Sequence, residues 1–100
     1  MTLLKKLFGL KSKVNCHELL ANGAILIDVR TPSEFSQGNI KGSKNVPLNT
    51  IENKINKMEK LRKPIVLCCQ SGMRSRQATT LLKRHGIKEV HNGGSWQNFM

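Results

Sequence analysis

The hydrophobic and polar positions along the chain predict a mixed α/β domain. Residues 24–29 and 65–68 are nearly continuous apolar runs, typical of strands that are buried on both faces of a sheet. Shorter strands are predicted at residues 45–47 and 88–91. Strands that alternate with helices through short loops predict a mainly parallel sheet with helices on both faces.

Helices are predicted where apolar positions recur every three to four residues. Two short helices should begin at capping boxes, formed by Asn15 with Glu18 and by Thr31 with Glu34. Apolar side chains at Ile51, Ile55, Met58 and Leu61 predict a third helix. A fourth should begin near Ser75 and end at Gly86, where glycine commonly terminates a helix.

The first 13 residues form a basic amphipathic segment that precedes a predicted domain at residues 14–100. Lys5 and Lys6 interrupt the apolar stretch that a secretory signal needs, so we expect a cytoplasmic protein. The segment is interpreted as a short helix docked on the domain or a frayed tail. One helix this short could bind a membrane surface only weakly. No apolar run approaches the ~20 residues that cross a bilayer.

Charge and cysteine content limit the classes of partner and site. The 17 lysines and arginines exceed the 6 acidic residues, which gives a net charge of +11. Such an excess suits an acidic protein, a small anion, a membrane surface or RNA as partner. The alternative is a well-solvated surface that binds no partner. The absence of Tyr and the scarcity of aromatic residues disfavour nucleic acid. Three cysteines without a CxxC pair or zinc-ligand spacing predict neither a disulfide scaffold nor a metal site.

The loop after the strand at residues 65–68 has the composition of an anion-binding or thiol site. Cys69 leaves the strand end, and six residues lead from it into the fourth helix. Gly72 allows the loop to curl, so that backbone N–H groups and the helix N-terminus can converge on one point. These groups, with Arg74 and Arg76, should lower the pKa of a thiol at that point. The adjacent Cys68 is expected to lie in the core.

Four motifs in this order resemble a single-domain rhodanese, a thiosulfate sulfurtransferase-like domain. They lie at residues 28–35, 38–47, 69–75 and 93–95, and the resemblance extends over residues 14–100. It implies a rhodanese fold with a roughly five-stranded parallel sheet, and Cys69 as the nucleophile that carries sulfur without a cofactor. Asn39 stands where the family commonly has His, and Asn can still bond the backbone of that turn.

The remaining site residues are assigned from the loop and from the resemblance. The residues expected to bind the substrate are Gln70, Ser71, Gly72, Met73, Arg74 and Ser75. Asp28, Arg30 and Glu34 are expected to support the loop, and Trp96 to pack the C-terminal segment against the sheet.

The predicted reaction moves a sulfane sulfur from thiosulfate or a related small anionic donor to a cellular thiol or an acidic protein. The alternatives are a non-catalytic binding module and a persulfide carrier for a protein partner. A cysteine phosphatase is disfavoured because the loop reads Cys-x4-Arg from Cys69 to Arg74, one residue shorter than the phosphatase spacing.

Overall fold

The computed structural model describes residues 14–100 of the chain, so the prediction for residues 1–13 lies outside the described residues. Residues 14–100 contain four α-helices, two 3₁₀-helices and four strands. They are α1 (Cys16–Ala21), β1 (Ile25–Asp28), α2 (Pro32–Ser36), β2 (Lys44–Asn45), a 3₁₀-helix (Leu48–Lys54), α3 (Ile55–Lys60), β3 (Ile65–Cys69), α4 (Met73–Arg84), β4 (Val90–Ser95) and a second 3₁₀-helix (Trp96–Phe99).

The strands form one parallel sheet in the order β2-β1-β3-β4. Ile25 of β1 lies opposite Ile65 of β3, and Ile65 lies opposite Val90 of β4. The predicted parallel sheet is confirmed. Residues 14–100 contribute four strands where the resemblance implied roughly five, and these four lie at or beside the stretches that the hydrophobic pattern marked as strands.

Each face of the sheet is covered by helices and has its own apolar cluster. The larger cluster joins β1 and β3 to α3, α4 and the first 3₁₀-helix, through residues such as Ile27, Leu67 and Leu82. The smaller one joins Leu26, Val66 and Cys68 to α1 and to the C-terminal 3₁₀-helix. Consecutive strand residues therefore face different layers, as the period of a strand requires.

The helix-start signals in the sequence correspond to real helix starts. The Thr31 hydroxyl accepts a hydrogen bond from the Glu34 amide, and the Glu34 carboxylate accepts one from the Thr31 amide, which completes a capping box at α2. At α1 the Asn15 side chain accepts from the Glu18 amide. These signals act over three residues, so tertiary packing is not needed to set them.

The third predicted helix begins earlier than expected and as a 3₁₀-helix. Ile51, Ile55 and Met58 are buried as the spacing predicted, but Leu61, just past the end of α3, is 39% exposed. The first turns contain Asn49, Thr50 and Asn53, residue types that compete with the backbone for hydrogen bonds and have modest helix propensity.

Strand β4 begins two residues later than predicted and continues through its two glycines. A Cβ on Gly93 would lie 2.7 Å from the Phe99 ring and 2.9 Å from a Val66 methyl group, so only glycine fits there without displacement. The pairing with β3 shifts register between Leu67 and Cys68, as at a β-bulge, and the strand reaches Ser95 beside Cys69. Within residues 14–100, no helix is long and apolar enough to span a membrane.

Candidate active site

Cys69 lies at the carboxyl end of the central strand β3, where ligands bind in open parallel sheets. Its side chain packs with the larger apolar cluster, whereas Cys68 faces the smaller cluster on the other side of the sheet. Both cysteines are fully buried, with 0% of each residue exposed. The expectation that Cys68 belongs to the core is confirmed.

The Cys69 sulfur accepts hydrogen bonds from the loop that follows it. The Gly72 amide lies 2.9 Å from Sγ, the Ser75 amide 3.4 Å and the Ser75 hydroxyl 3.5 Å. Burial alone would raise the pKa of this thiol. Donation from the Ser75 hydroxyl and from the amides of Ser75, Gly72 and Ser71 outweighs burial and lowers the pKa below the ordinary value of 9.0.

The neighbouring thiol of Cys68 has the opposite electrostatics. Burial, followed by repulsion from the Asp28 carboxylate, raises the pKa of Cys68 to about 12. Two adjacent cysteines therefore differ in their readiness to ionise, because one faces a ring of donors and the other an apolar layer. The thiolate is the nucleophilic form, so the structure distinguishes Cys69 from Cys68 chemically.

Gly72 shapes the loop around the sulfur. Its φ of +102° lies in the left-handed region, and a Cβ there would lie 3.3 Å from the Cα of Gly94. Helix α4 begins at the next residue, Met73, two residues earlier than predicted, so the loop is tighter than the sequence suggested. The N-terminus of α4 therefore faces the sulfur and adds partial positive charge.

Arg74 is bonded to Glu34, across 40 residues of sequence. Its guanidinium donates to both carboxylate oxygens, at 2.7 and 3.0 Å. This pairing lowers the pKa of Glu34 to about 2, with help from the Thr31 amide, and raises the pKa of Arg74. The structure thus brings Glu34 to the loop as expected. It pairs Arg74 with Glu34, so direct contact of Arg74 with an anionic substrate stays a prediction.

Asp28 and Arg30 form a buried ion pair at the end of β1. The Arg30 guanidinium donates to both Asp28 oxygens, the shortest distance being 2.7 Å, and also to the carbonyl oxygen of Gly38. The central carbon of the Arg30 guanidinium lies 4.4 Å from the centre of the Trp96 ring, in a cation–π contact. Trp96 in turn donates from its indole nitrogen to the Gln70 side chain at 3.3 Å. The pair is therefore connected to the loop through Trp96.

Asn92 on β4 holds the loop, a role that the sequence pattern did not indicate. Its Oδ1 accepts from the Ser75 hydroxyl at 2.6 Å and from the Gly94 amide, and its Nδ2 donates to the Gly72 carbonyl. The one available signal was a polar residue just before two glycines at a predicted strand end. That signal does not say which loop the side chain contacts, because the contact depends on the pairing of β4 with β3.

The other predicted residues lie on the rim of the loop. Gln70 and Ser71 are exposed, and Met73 is 72% exposed. Asn39 donates to the Phe35 carbonyl at 2.8 Å, which confirms that its side chain bonds the backbone of the turn. Within residues 14–100, no three His, Cys, Asp or Glu side chains are grouped so that they could hold a metal ion.

Comparison with known proteins agrees with this geometry. The sequence model of one protein family, the rhodanese-like domain, matches residues 12–100. The chain belongs to the rhodanese-like domain family. The site described above thus lies in a rhodanese-like domain, with Cys69 at the strand end that precedes the loop.

Proteins similar to this chain are known from bacteria and from humans. The thiosulfate sulfurtransferase GlpE of Ectopseudomonas mendocina is 31% identical over 81% of this chain and 73% of its own. The structure of the human single-domain sulfurtransferase TSTD1 superimposes with a TM-score of 0.70 and 31% identity, covering 84% of this chain and 88% of that one. The uncharacterized protein YqhL of Bacillus subtilis is 41% identical over 69% of this chain, which spans only 54% of that relative's length.

Proposed function

We propose that this protein is a sulfurtransferase that carries a sulfane sulfur on Cys69, from thiosulfate or a related anionic donor to a thiophilic acceptor. The observation that carries the proposal is the Cys69 sulfur itself, enclosed by the Gly72 and Ser75 amides and the Ser75 hydroxyl. A thiol with a lowered pKa in a ring of donors is suited to nucleophilic attack and to holding a negative sulfur.

In the first half-reaction the Cys69 thiolate attacks the outer sulfur of thiosulfate. A new S–S bond forms on Cys69, the S–S bond of thiosulfate breaks, and sulfite leaves with the bonding electron pair. The product is a persulfide anion, which the loop amides and the N-terminus of α4 stabilise as they stabilised the thiolate. No proton has to move, so no general acid is required in this step.

In the second half-reaction an acceptor nucleophile attacks the outer sulfur of the persulfide. Cyanide would leave as thiocyanate, and a thiolate would leave as a persulfide, with the Cys69 thiolate regenerated in both cases. The two half-reactions share one enzyme form, so ping-pong kinetics are expected. Because Cys69 is fully covered, the side chains on the loop rim must move aside for donor and acceptor.

The rival chemistry is phosphoryl transfer by a cysteine phosphatase. That reaction needs an arginine free to bind the oxygens of a tetrahedral anion. Here the arginine of the loop, Arg74, donates to both oxygens of Glu34. The short loop and the occupied guanidinium both favour sulfur transfer.

Intact mass spectrometry tests the proposal. Reduced protein incubated with thiosulfate should gain one sulfur, about 32 Da, and cyanide should remove it. The Cys69→Ser variant should gain nothing, and the Cys68→Ser variant should gain as much as the unaltered protein. A gain that persists in Cys69→Ser, or no gain with thiosulfate, polysulfide or mercaptopyruvate, would show that the proposal is wrong.

A further inference from the structure

A groove along α4 begins at the loop that carries Cys69. We name it the α4 groove; the residues that line it are Leu48, Met73, Arg76, Gln77, Thr80, Leu81 and Arg84. Met73 belongs both to the rim of the loop and to this groove, and its side chain is 72% exposed. A molecule in the groove would therefore reach the rim of the loop that follows Cys69.

The charged residues that line the α4 groove are positive, and within residues 14–100 they form no ion pair. The ion pairs within residues 14–100 involve neither Arg76 nor Arg84. Arg74, by contrast, is neutralised by Glu34. No acidic residue is among the described residues that line the groove, so its electrostatic complement is a molecule with carboxylates or other anions.

The residues that line the α4 groove favour a protein partner over a nucleic acid. Leu48 and Leu81 line the same groove as the two arginines, and these apolar side chains suit contact with an aliphatic side chain. Among the described residues that line it, none is aromatic, so it offers no platform for stacking bases. Arg76 and Arg84 are eight residues apart on one helix, about 12 Å along its axis.

We propose that the α4 groove docks an acidic segment of a protein that carries the acceptor thiol, and so selects the sulfur acceptor. This inference rests on the proposed function, whose second half-reaction leaves the acceptor open. In an extended segment, carboxylates about four residues apart would match the two arginines, since each residue advances about 3.4 Å. The acceptor thiol would lie at the Met73 end of the groove.

The transfer step balances without a further reagent. The thiolate of the partner attacks the outer sulfur of the Cys69 persulfide, and a new S–S bond forms on the partner. The S–S bond to Cys69 breaks, and its electron pair stays on Cys69 as the thiolate. The partner leaves as a persulfide anion.

A pair of synthetic peptides tests the charge selection. The acidic probe is Cys-Gly-Glu-Ala-Leu-Ala-Glu, which places Glu, Leu and Glu on one face of an extended chain. The control probe has lysine in place of both glutamates. With the persulfide form of the protein at low salt, sulfur should move to the acidic probe about tenfold faster, and the preference should shrink as salt screens the charges.

Two protein variants with equal net charge separate the groove from general attraction. Arg76→Glu/Arg84→Glu should reverse the preference between the probes. Lys57→Glu/Lys60→Glu, on α3 and outside the groove, changes the net charge equally and should keep most of the preference. Equal rates for the two probes, or equal effects of the two variants, would overturn the groove proposal.

Binding is measured separately, so that the two proposals can fail independently. Amide shifts of ¹⁵N-labelled reduced protein are followed by NMR as a serine version of the acidic probe is added, and residues of the α4 groove should move. Groove binding without sulfur loading by thiosulfate, polysulfide or mercaptopyruvate would overturn the sulfurtransferase proposal, and the groove would then be a docking site for acidic segments without a role in sulfur transfer. Loading without selective groove binding would overturn the groove proposal alone. Stronger shifts in the groove with an oligouridylate of equal charge would assign it to nucleic acid instead.

Discussion

At the scale of single residues, the chemistry depends on which direction a side chain faces. Cys68 and Cys69 are adjacent in one strand, but their pKa values move in opposite directions. The difference comes from Ser75 and the loop amides, which surround only the second sulfur. Alternation along a strand thus places one thiol in the core and the next beside hydrogen-bond donors that lower its pKa.

Ser75 supplies the side-chain contribution to this difference. In Ser75→Ala the Cys69 thiol loses the hydroxyl donor, so its pKa should rise and alkylation by iodoacetamide near neutral pH should slow severalfold. The matched control is Ser71→Ala, because Ser71 acts on the sulfur through its backbone amide and its side chain is exposed. The pH dependence of the alkylation rate gives the pKa of the Cys69 thiol in both variants. A similar shift in both variants would mean that the hydroxyl has no specific role.

Asn92 should matter through the loop that it holds. Asn92→Ala removes the acceptor of Ser75 and the donor to Gly72, so the free energy of unfolding should fall by about 1–3 kcal/mol. Asn39→Ala removes a single exposed hydrogen bond to the Phe35 carbonyl, so it should lower the free energy of unfolding by less than Asn92→Ala does. Urea unfolding followed by Trp96 fluorescence compares the two. Equal losses of unfolding free energy in the two variants would mean that Asn92 does not hold the loop.

At the scale of elements, the site depends on contacts between segments that are distant in the sequence. The start of α2 is tied to the start of α4 by the Glu34–Arg74 pair. The end of β1 is tied to the C-terminal 3₁₀-helix by Arg30 against Trp96. The loop is therefore held from three sides, with β4 as the third.

The Glu34–Arg74 pair should make stability depend on acid pH. The pKa of Glu34 is lowered from 4.5 to about 2, so its ionised form stabilises the fold above about pH 4.5. That contribution should be lost as the pH falls toward 2. The stability difference between the unaltered protein and Glu34→Gln should therefore shrink between about pH 5 and pH 2. Because the pair is partly exposed, the difference should be modest even at neutral pH.

Glu52→Gln is the control for this measurement, since Glu52 is exposed and forms no ion pair within residues 14–100. Its effect on stability should change little over the same pH range. If Glu34→Gln behaves like the control, the ion pair does not hold the loop in solution.

At the scale of the whole molecule, charge is the dominant feature. A net charge of +11 on 100 residues repels itself in the compact state. The ion pairs within residues 14–100 engage only two arginines, Arg30 and Arg74, and one histidine, so most of the excess is uncompensated there.

Salt should therefore stabilise this protein. Raising sodium chloride from about 10 mM to about 200 mM shortens the Debye length from roughly 30 Å to below 10 Å, so the melting temperature should rise. Calorimetry over this range tests the prediction, with equal ionic strengths of chloride and sulfate to separate screening from anion binding. A falling melting temperature would mean that the ion pairs outweigh the general repulsion.

The sequence predicted those features that depend on neighbours in the chain. The cap of α2 at Thr31, the termination of α4 near Gly86 and the buried strand before Cys69 all follow from residue types at short spacing. The placement of Cys69 at a strand end, before a glycine-containing loop, belongs to the same class. Such features can be predicted because their energetics are settled within a few residues.

The sequence missed those features that need two segments to meet. Nothing in the spacing showed that Asn92 would accept from Ser75, or that Arg74 would donate to Glu34 rather than stay free for a substrate. The extension of β4 through Gly93 was missed for the same reason, since it depends on Phe99 and Val66. The sequence by itself thus determined where most elements lie and that Cys69 ends a buried strand before a glycine-containing loop. The tertiary structure decided which groups surround the sulfur. Those groups come from different strands and helices, and only the packing of the sheet brings them within hydrogen-bond distance.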